Sequence, residues 1–393
     1  MAFRRRSRAT ATRAWCPSDR RSTPRQATTD SRASLRASPG TQSRVRLTTG
    51  CTTTDPPTRT TRTPGHEGAD ACSVRAAPGS TGQHRAAPGG AWRRGPSGPG
   101  AALPSGATPF KGPFAPGHEC VARIVEPGPD CTAPTTGDLV VVPWHISCGT
   151  CTRCVLGRPS PCERTPRYAM FGLPLGGNWG GMFTERFTVP WAQANVQRLP
   201  DGVSPSAAAA ASDSLTDACD AVRHGLQPHP AQDIAVLGGL THGRCACACA
   251  ASLGAAGVMY VDRDGRRRSI AEGFGATTVD NARELGQRRF PVTTDAAGDP
   301  RSLAAALKAA APGGHCHSIG ICFQPAPLPL MTMYMDAITF TTGRPDTPHL
   351  ADVLHLLQTH SVGPLAAYSH PITFDDLPEA LPELPAKPRV LLD

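Results

Sequence analysis

Four cysteines, at positions 148, 151, 154 and 162, have the spacing of a metal-binding loop. The C-x2-C-x2-C-x7-C pattern holds three thiols in one tight loop and returns the fourth on a short arm, so all four can reach one tetrahedral Zn²⁺. Disulfide bonds are the alternative, but equal two-residue spacings suit a metal loop better. Because four thiolates leave no open coordination position, the spacing predicts a structural zinc site at Cys148, Cys151, Cys154 and Cys162.

A glycine-rich turn between two apolar runs is the second stretch whose residues could have a chemical function. One apolar run leads into Gly238 and Gly239, a helical stretch follows Gly243, and a second apolar run ends at Asp262. In dinucleotide-binding units, amides at the start of such a helix hold a pyrophosphate, and the acid accepts from a ribose 2′-hydroxyl. Gly238 and Asp262 lie 24 positions apart, close to the expected spacing of about 20. The stretch therefore predicts a dinucleotide site.

The glycine pattern is imperfect, which leaves alternatives open. Leu240 stands where G-x-G-x-x-G has its second glycine, and its side chain would crowd the phosphates, whereas Gly239 gives a close approach in a shifted register. A buried strand and turn without a ligand is the other interpretation. Asp262 would repel a 2′-phosphate, which favours NAD(H), but Arg263 and the run Arg266–Arg268 could receive that phosphate and select NADP(H).

Strand-like runs alternate with helical stretches in the second half of the chain. Short β-type runs separated by Gly and Pro turns fill residues 104–200, and apolar runs alternate with helical stretches from about residue 233 to residue 342. This alternation predicts an α/β fold with a doubly wound parallel sheet, next to a smaller β-rich unit.

Three motifs in a fixed order give the chain a family resemblance. They are Pro116–Glu119 (PGHE), Gly137–Pro143 (GDLVVVP) and the cysteine loop that ends at Cys162–Arg164 (CER). In this order they resemble the zinc-dependent medium-chain alcohol dehydrogenases, over about residues 104–393. The resemblance implies a chaperonin-10-like catalytic domain, a Rossmann cofactor domain, and hydride transfer between an alcohol and NAD(P).

The resemblance also divides the chain into predicted segments. Residues 1–103 form a tail that does not match the family, residues 104–204 an incomplete catalytic domain with the zinc lobe, and residues 205–345 the Rossmann domain. Residues 346–393 are expected to return to the catalytic domain, with a last strand at Val390–Leu392.

The resemblance assigns a catalytic zinc to His118, Glu119 and Asp213. The family holds this ion with a cysteine, the histidine of Gly-His-Glu and a later cysteine or aspartate, and the adjoining glutamate lies nearby. The first cysteine should stand well before His118, yet no cysteine lies between Cys72 and Cys120. Because zinc sites depend on full ligand count, the catalytic site is predicted to be incomplete, with Cys120 as an alternative donor.

Charge is distributed very unevenly along the chain. Residues 1–103 hold 18 Arg, no Lys and 5 acidic residues, a net charge of +13, whereas the rest of the chain has a net charge of −4. The few large apolar residues of this tail predict disorder. A tail for nucleic acid or another acidic partner, an organelle transit peptide, and a segment translated in a shifted reading frame are its three interpretations, and we favour the last.

Cysteine usage and hydropathy indicate the compartment. Most of the remaining cysteines stand singly in apolar runs, where a free thiol packs as a small hydrophobe, and this favours a reducing compartment. No apolar run is long enough to span a bilayer, so we expect a cytoplasmic protein without membrane contact.

The expected partners are a small alcohol or aldehyde and, by resemblance, further copies of the chain in a homo-oligomer. A non-enzymatic, zinc-stabilised nucleotide-binding remnant is the alternative function.

Overall fold

The computed structural model describes most of the chain after residue 117. The described residues are 72–76, 110, 114–115, 117–129, 131–323, 325–344, 349–359, 370–373 and 388–391. Apart from Cys72–Ala76, the predicted tail up to residue 103 lies outside these ranges, so its predicted disorder stays a prediction. None of the helices in these ranges is both long and apolar enough to cross a membrane.

A five-stranded antiparallel sheet forms the first unit. Val121 and Val141 face one apolar cluster, while Cys120, Ala122 and Val140 face another. Because side chains alternate between the faces of a strand, the second and third strands are buried on both sides. The strands lie in the order β4-β1-β2-β3-β5, and they are β1 Cys72–Ala76, β2 Cys120–Glu126, β3 Leu139–Val142, β4 Arg186–Val189 and β5 Gln197–Arg198.

Strand β1 lies inside the range that the sequence assigned to the tail. Val74 is opposite Ile124 of β2 and opposite Phe187 of β4, so β1 is paired on both sides. Strand β1 thus lies outside the predicted catalytic range of residues 104–204, and the boundary at residue 104 stays a prediction. The sequence of β1, CSVRA, contains no extended apolar run that would predict a strand. Its extended conformation depends on pairing with two neighbouring strands.

A six-stranded parallel sheet forms the second unit and confirms the predicted doubly wound α/β fold. Every residue of the central strand, Ile234–Leu237, is buried, as a strand covered by helices on both faces requires. The order is β11-β10-β9-β6-β7-β8, with β6 Ile234–Leu237, β7 Val258–Val261, β8 Thr277–Val279, β9 Phe290–Asp295, β10 Ala310–Ser318 and β11 Thr339–Thr342.

Nine α-helices and two 3₁₀ turns are described. The longest, Ser214–Leu226, is buried except at Arg223 and His224, and Arg223 donates to Asp352 of the last helix at 2.8 Å. The helices are α1 Thr152–Val155, α2 Ala192–Asn195, α3 Pro205–Ala208, α4 Ser214–Leu226, α5 His242–Ser252, α6 Gly265–Glu272, α7 Pro300–Ala309, α8 Leu330–Met335 and α9 His349–Thr359, and the 3₁₀ turns are Ala209–Ser212 and Ala282–Leu285.

A disulfide joins α4 to α5. The Cα atoms of Cys219 and Cys249 lie 5.3 Å apart, and both residues are 1% exposed. The expectation that cysteines outside the metal loop pack as free thiols is wrong for this pair, because helix packing brings together two residues that are 30 positions apart in sequence. Cys245 and Cys247 of α5 are buried thiols, as expected.

The C-terminal strands form a separate two-stranded parallel sheet. Strand β12 (His370–Thr373) pairs with β13 (Pro388–Leu391), and Ile372 lies opposite Val390. The predicted last strand exists, but among the described residues it pairs with β12 and not with the antiparallel sheet. The predicted return of the C-terminus to the catalytic domain therefore remains a prediction.

Candidate metal and dinucleotide site

The four cysteines of the loop converge, as their spacing predicts. Their Sγ atoms all lie within 4.8 Å of one another. Sγ of Cys151 is 3.5 Å from Sγ of Cys154 and 3.9 Å from Sγ of Cys162. Four thiols at such distances fit one tetrahedral zinc ion, with Zn–S bonds of about 2.3 Å.

Backbone amides in this loop favour thiolates. The N–H of Glu163 donates to Sγ of Cys151 at 3.5 Å, and the N–H of Cys151 donates to Sγ of Cys148 at 3.3 Å. The amide of Glu163 is the main cause of the lowered pKa of Cys151, which is about 6. A thiol that ionises near neutral pH is ready to bind a metal ion.

Gly117 positions His118 next to Asp213. The backbone of Gly117 has φ +102°, and a Cβ there would meet the backbone N of Phe183 at 2.7 Å, so only glycine fits. Nε2 of His118 lies 3.3 Å from Oδ2 of Asp213. Nδ1 of His118 is buried, without a hydrogen-bond partner in the described part of the chain.

Glu119 is held against the start of α4. Its side chain is 2% exposed, and Oε1 accepts from the hydroxyl of Ser214 at 2.5 Å and from the N–H of Ser214 at 3.2 Å. These bonds place the Glu119 carboxylate beside the residue that follows Asp213. The three residues assigned by resemblance therefore lie together.

Cys120 does not join this group of ligands. Its side chain is fully buried among Ala122, Ile124 and Val140. Its backbone N–H donates to Oγ of Ser212 at 2.9 Å. Since the thiol belongs to an apolar core, the alternative of Cys120 as the replacement donor loses its basis.

Asp217 and His242 lie at the site, although the motifs did not point to them. Nε2 of His242 lies 3.6 Å from Oδ2 of Asp217 and 4.0 Å from Oδ2 of Asp213. Burial raises the pKa of Asp217 well above its usual value, and the charges of Asp213 and Asp220 raise it further. Asp213 thus contacts both imidazoles.

The glycine turn opens directly into α5, whose first residue is His242. Gly238 and Gly239 have φ values of +66° and +91°. A Cβ on Gly239 would meet the carbonyl O of Ala296 at 2.6 Å, and a Cβ on Gly243 would meet the carbonyl O of Gly238 at 1.9 Å. All three glycines are therefore required by the fold of the turn, which leaves amides at the N-terminus of an eleven-residue helix.

Asp262 ends β7, as a ribose-binding acid should, but its oxygens already have partners. Oδ2 accepts from the hydroxyl of Tyr260 at 2.8 Å and lies 3.3 Å from the guanidinium of Arg267. Oδ1 accepts from the N–H of Asp264 at 2.9 Å. Burial, followed by the charge of Asp262, raises the pKa of Tyr260.

Three arginines line a cavity of about 690 Å³. Arg263 follows Asp262 directly, and Arg283 and Arg301 also line the cavity, together with Asp280 and Asn281. Three guanidinium groups can donate hydrogen bonds to a bound anionic group, whereas the carboxylate of Asp280 would repel such a group.

Comparisons with known proteins identify the family of the chain. The family model of the alcohol dehydrogenase GroES-like domain matches residues 99–201, and that of zinc-binding dehydrogenases matches residues 243–353. A Mycobacterium tuberculosis protein named as a zinc-binding alcohol dehydrogenase is 33% identical over 263 residues, covering 65% of this chain and 67% of the relative. The chain belongs to the zinc-binding alcohol dehydrogenase family.

Two further relatives of this family are similar over most of their length. An L-threonine 3-dehydrogenase of Bacillus velezensis is 28% identical, covering 68% of this chain and 78% of the relative. The structure of the alcohol dehydrogenase TADH of Thermus sp. ATN1 superposes with a TM-score of 0.72 and 27% identity, covering 85% of this chain and 95% of that chain. As a member of this family, the chain is an oxidoreductase, and the non-enzymatic remnant is not favoured.

Proposed function

We propose that this zinc-dependent dehydrogenase transfers a hydride between a small alcohol and NAD(P). The contact between the metal-ligand residues and the dinucleotide turn carries the proposal. His242, the first residue after the turn, lies 4.0 Å from Asp213, so a substrate held at Asp213 would be adjacent to a cofactor held by the turn. Proximity of this kind is what hydride transfer requires.

Each group of residues has a proposed part in this function. His118 and Asp213 hold the metal ion, which when bound acts as a Lewis acid toward the alcohol oxygen. Glu119 fixes the start of α4 through Ser214, and thereby the position of Asp213. Gly238, Gly239 and Gly243 cradle the pyrophosphate. The four-cysteine loop has a structural part, because four thiolates leave no position for a substrate.

We further propose that turnover is low. The cysteine that the family resemblance expects before His118 is not at its place in the sequence, since no cysteine lies between Cys72 and Cys120. The family resemblance also implies a hydroxyl residue after this cysteine that relays the substrate proton, and we propose that this chain lacks it too. A metal shell of imidazole and carboxylate then replaces one that contains thiolate.

A comparison with a relative tests the proposal of low turnover. The full chain and the Thermus alcohol dehydrogenase are assayed with NAD⁺ and the same primary and secondary alcohols, and L-threonine is included because one relative is named for it. We expect the full chain to be slower by about 100-fold or more. Equal rates would show that the missing cysteine is not needed.

Cofactor choice is proposed to favour NAD(H). The carboxylate of Asp262 repels a 2′-phosphate, although Arg267 at 3.3 Å weakens this effect. Titration of nicotinamide fluorescence should give a lower Kd for NADH than for NADPH, and Asp262→Asn should reduce the difference. The exposed Asp201→Asn is the control, since the same change there should leave both Kd values as they were. Tighter NADPH binding by the unchanged chain would instead identify Arg263, Arg283 and Arg301 as a phosphate site.

A further inference from the structure

Three donor atoms at the site are spaced as the ligands of one metal ion would be. The carboxylate oxygens of Asp213 and Asp217 and Nε2 of His242 all lie within 4.8 Å of one another. His242 is 3.6 Å from Asp217 and 4.0 Å from Asp213. Ligand atoms at about 2.1 Å from a tetrahedral zinc ion lie roughly 3.4 Å apart. Only small movements would bring the three atoms onto one ion.

Two acidic side chains lie close together at the start of α4, where a bound cation would be favourable. Asp213 and Asp217 are 9% and 8% exposed, and they lie one helical turn apart. Two buried carboxylates of like sign are unfavourable unless positive charge pairs with them. The nearby imidazoles of His118 and His242 supply that charge only when they are protonated. A divalent cation supplies it with neutral imidazoles.

Three separate parts of the chain contribute to this cluster. His118 precedes β2, Asp213 is the N-cap residue of α4, Asp217 lies in the first turn of α4, and His242 begins α5. Oδ2 of Asp213 lies 3.3 Å from Nε2 of His118 and 4.0 Å from Nε2 of His242. Asp213 therefore links the histidine of the family motif to the histidine of the dinucleotide turn.

We propose that Asp217 and His242 are metal ligands in this chain, together with Asp213 and His118. Two imidazoles and two carboxylates would then hold the ion without a thiolate, and the alcohol oxygen would have to enter as a fifth ligand, as catalytic zinc sites allow. The proposal rests on the proposed function in that it concerns the same site, but it makes its own claim about metal binding. Such nitrogen and oxygen donors bind Zn²⁺ and also accept Co²⁺.

Zinc content measures the proposal directly. The full chain is loaded with Zn²⁺, freed of excess metal by gel filtration, and its zinc is counted by mass spectrometry. We expect about two ions per chain, one in the cysteine loop and one at the new site. His242→Asn and Asp217→Asn should each hold about one, whereas the exposed His355→Asn on α9 should hold two.

The two variants His242→Asn and Asp217→Asn are both made in case one of them does not fold. Circular dichroism shows which of the two variants folds, and one folded variant suffices. Retention of both ions by a folded His242→Asn or Asp217→Asn would overturn the proposal. So would a single zinc ion in the unchanged chain, because Asp213, Asp217 and His242 would then form an ordinary ion-pair network.

Cobalt identifies the donors. The absorption spectrum of the Co²⁺-loaded His242→Asn variant is subtracted from that of the unchanged chain, which removes the contribution of the cysteine loop. We expect only weak d–d bands in the difference spectrum. A sulfur-to-cobalt charge-transfer band would reveal a thiolate ligand and contradict the proposed set of donors.

Hydride transfer separates this proposal from the proposed function. If the unchanged chain holds both ions through His242 but never reduces NAD⁺, the proposed function fails and the metal proposal stands. If it reduces NAD⁺ while His242→Asn keeps both ions, the metal proposal fails and the function stands.

Discussion

Oδ2 of Asp213 is the atom on which the site depends most. It lies 3.3 Å from His118 and 4.0 Å from His242, and the backbone N–H of Asp217 donates to the carbonyl of Asp213 at 2.9 Å. A carboxylate in this place can share a metal ion with both imidazoles. Any change of side chain here would therefore alter the metal and the contact with the dinucleotide turn together.

Replacing one cysteine of the loop should release its metal ion. In Cys151→Ser, three thiolates remain, and we expect a loss of about one zinc ion per chain. The melting temperature should fall by roughly 5 °C or more, because metal binding is coupled to the folding of the loop. NADH affinity should hardly change.

Cys131→Ser is the matched control for this prediction. Cys131 is a free, partly exposed cysteine in the same unit, and it lies outside the cluster. This variant should keep its zinc content and melting temperature. If Cys151→Ser behaves like this control, the loop does not hold a structural metal ion.

The chemistry of individual residues was predictable where sequence spacing is local. The four cysteines lie within one loop, so their spacing alone indicated a common metal ion. Asp217 follows Asp213 by four residues, which places both on one helix face, but solvated helix faces often show the same spacing. His242 reaches them only because α5 packs against α4. No local pattern encodes that packing, nor the Cys219–Cys249 disulfide.

Strands β6 and β7 show which elements a sequence pattern can predict. Each is a four-residue apolar run that is buried throughout, and such runs mark central parallel strands. Strand β1 is different, since its pairing with β2 and β4 involves residues far away in sequence. Its membership in the sheet was missed for this reason.

Strand β10, next to the edge strand β11 of the parallel sheet, contains a histidine pair that should make the protein sensitive to acid. On β10, Nε2 of His315 and Nδ1 of His317 each lie 2.8 Å from Oγ1 of Thr341 on β11, and His224 of α4 stacks on His317. Burial lowers the pKa of His317 to about 3, and the nearby His224 and His315 contribute.

The pKa of His317 determines the direction of its pH effect. The unfolded chain binds a proton at His317 below its ordinary pKa of 6.5, whereas the folded chain resists protonation until about pH 3. The free energy of unfolding should therefore fall as pH drops through this window, by up to about 1.4 kcal/mol per pH unit. His317→Asn, which keeps a polar group near Thr341, should weaken this dependence.

Thermal unfolding of the variant and the unchanged chain, from neutral to mildly acidic pH, measures this effect. The exposed His355→Asn on α9 is the control for the loss of a histidine, and it should retain the acid sensitivity of the unchanged chain. The assignment to His317 would be wrong if His317→Asn lost as much stability in acid as the control.

The whole molecule combines an antiparallel sheet that carries metal ligands with a parallel sheet that carries the dinucleotide turn. Its charge is divided as well, with +13 before residue 104 and −4 after it. Leu330, Met331, Tyr334 and Met335 of α8 are between 66% and 81% exposed, an apolar face next to β11. The homo-oligomer expected from the sequence stays a prediction, as does the cytoplasmic location.

Transfer of deuterium from an alcohol to the cofactor is the most direct test of the proposed activity. The zinc-loaded full chain, at high concentration, is incubated with NAD⁺ and alcohols deuterated at the carbinol carbon, and the cofactor is recovered for mass spectrometry. Stoichiometric amounts of protein make even slow transfer visible. We predict that the reduced cofactor carries the deuterium, and that removal of zinc by a chelator abolishes the transfer. A cofactor that stays oxidised and unlabelled with every alcohol would contradict hydride transfer by this chain.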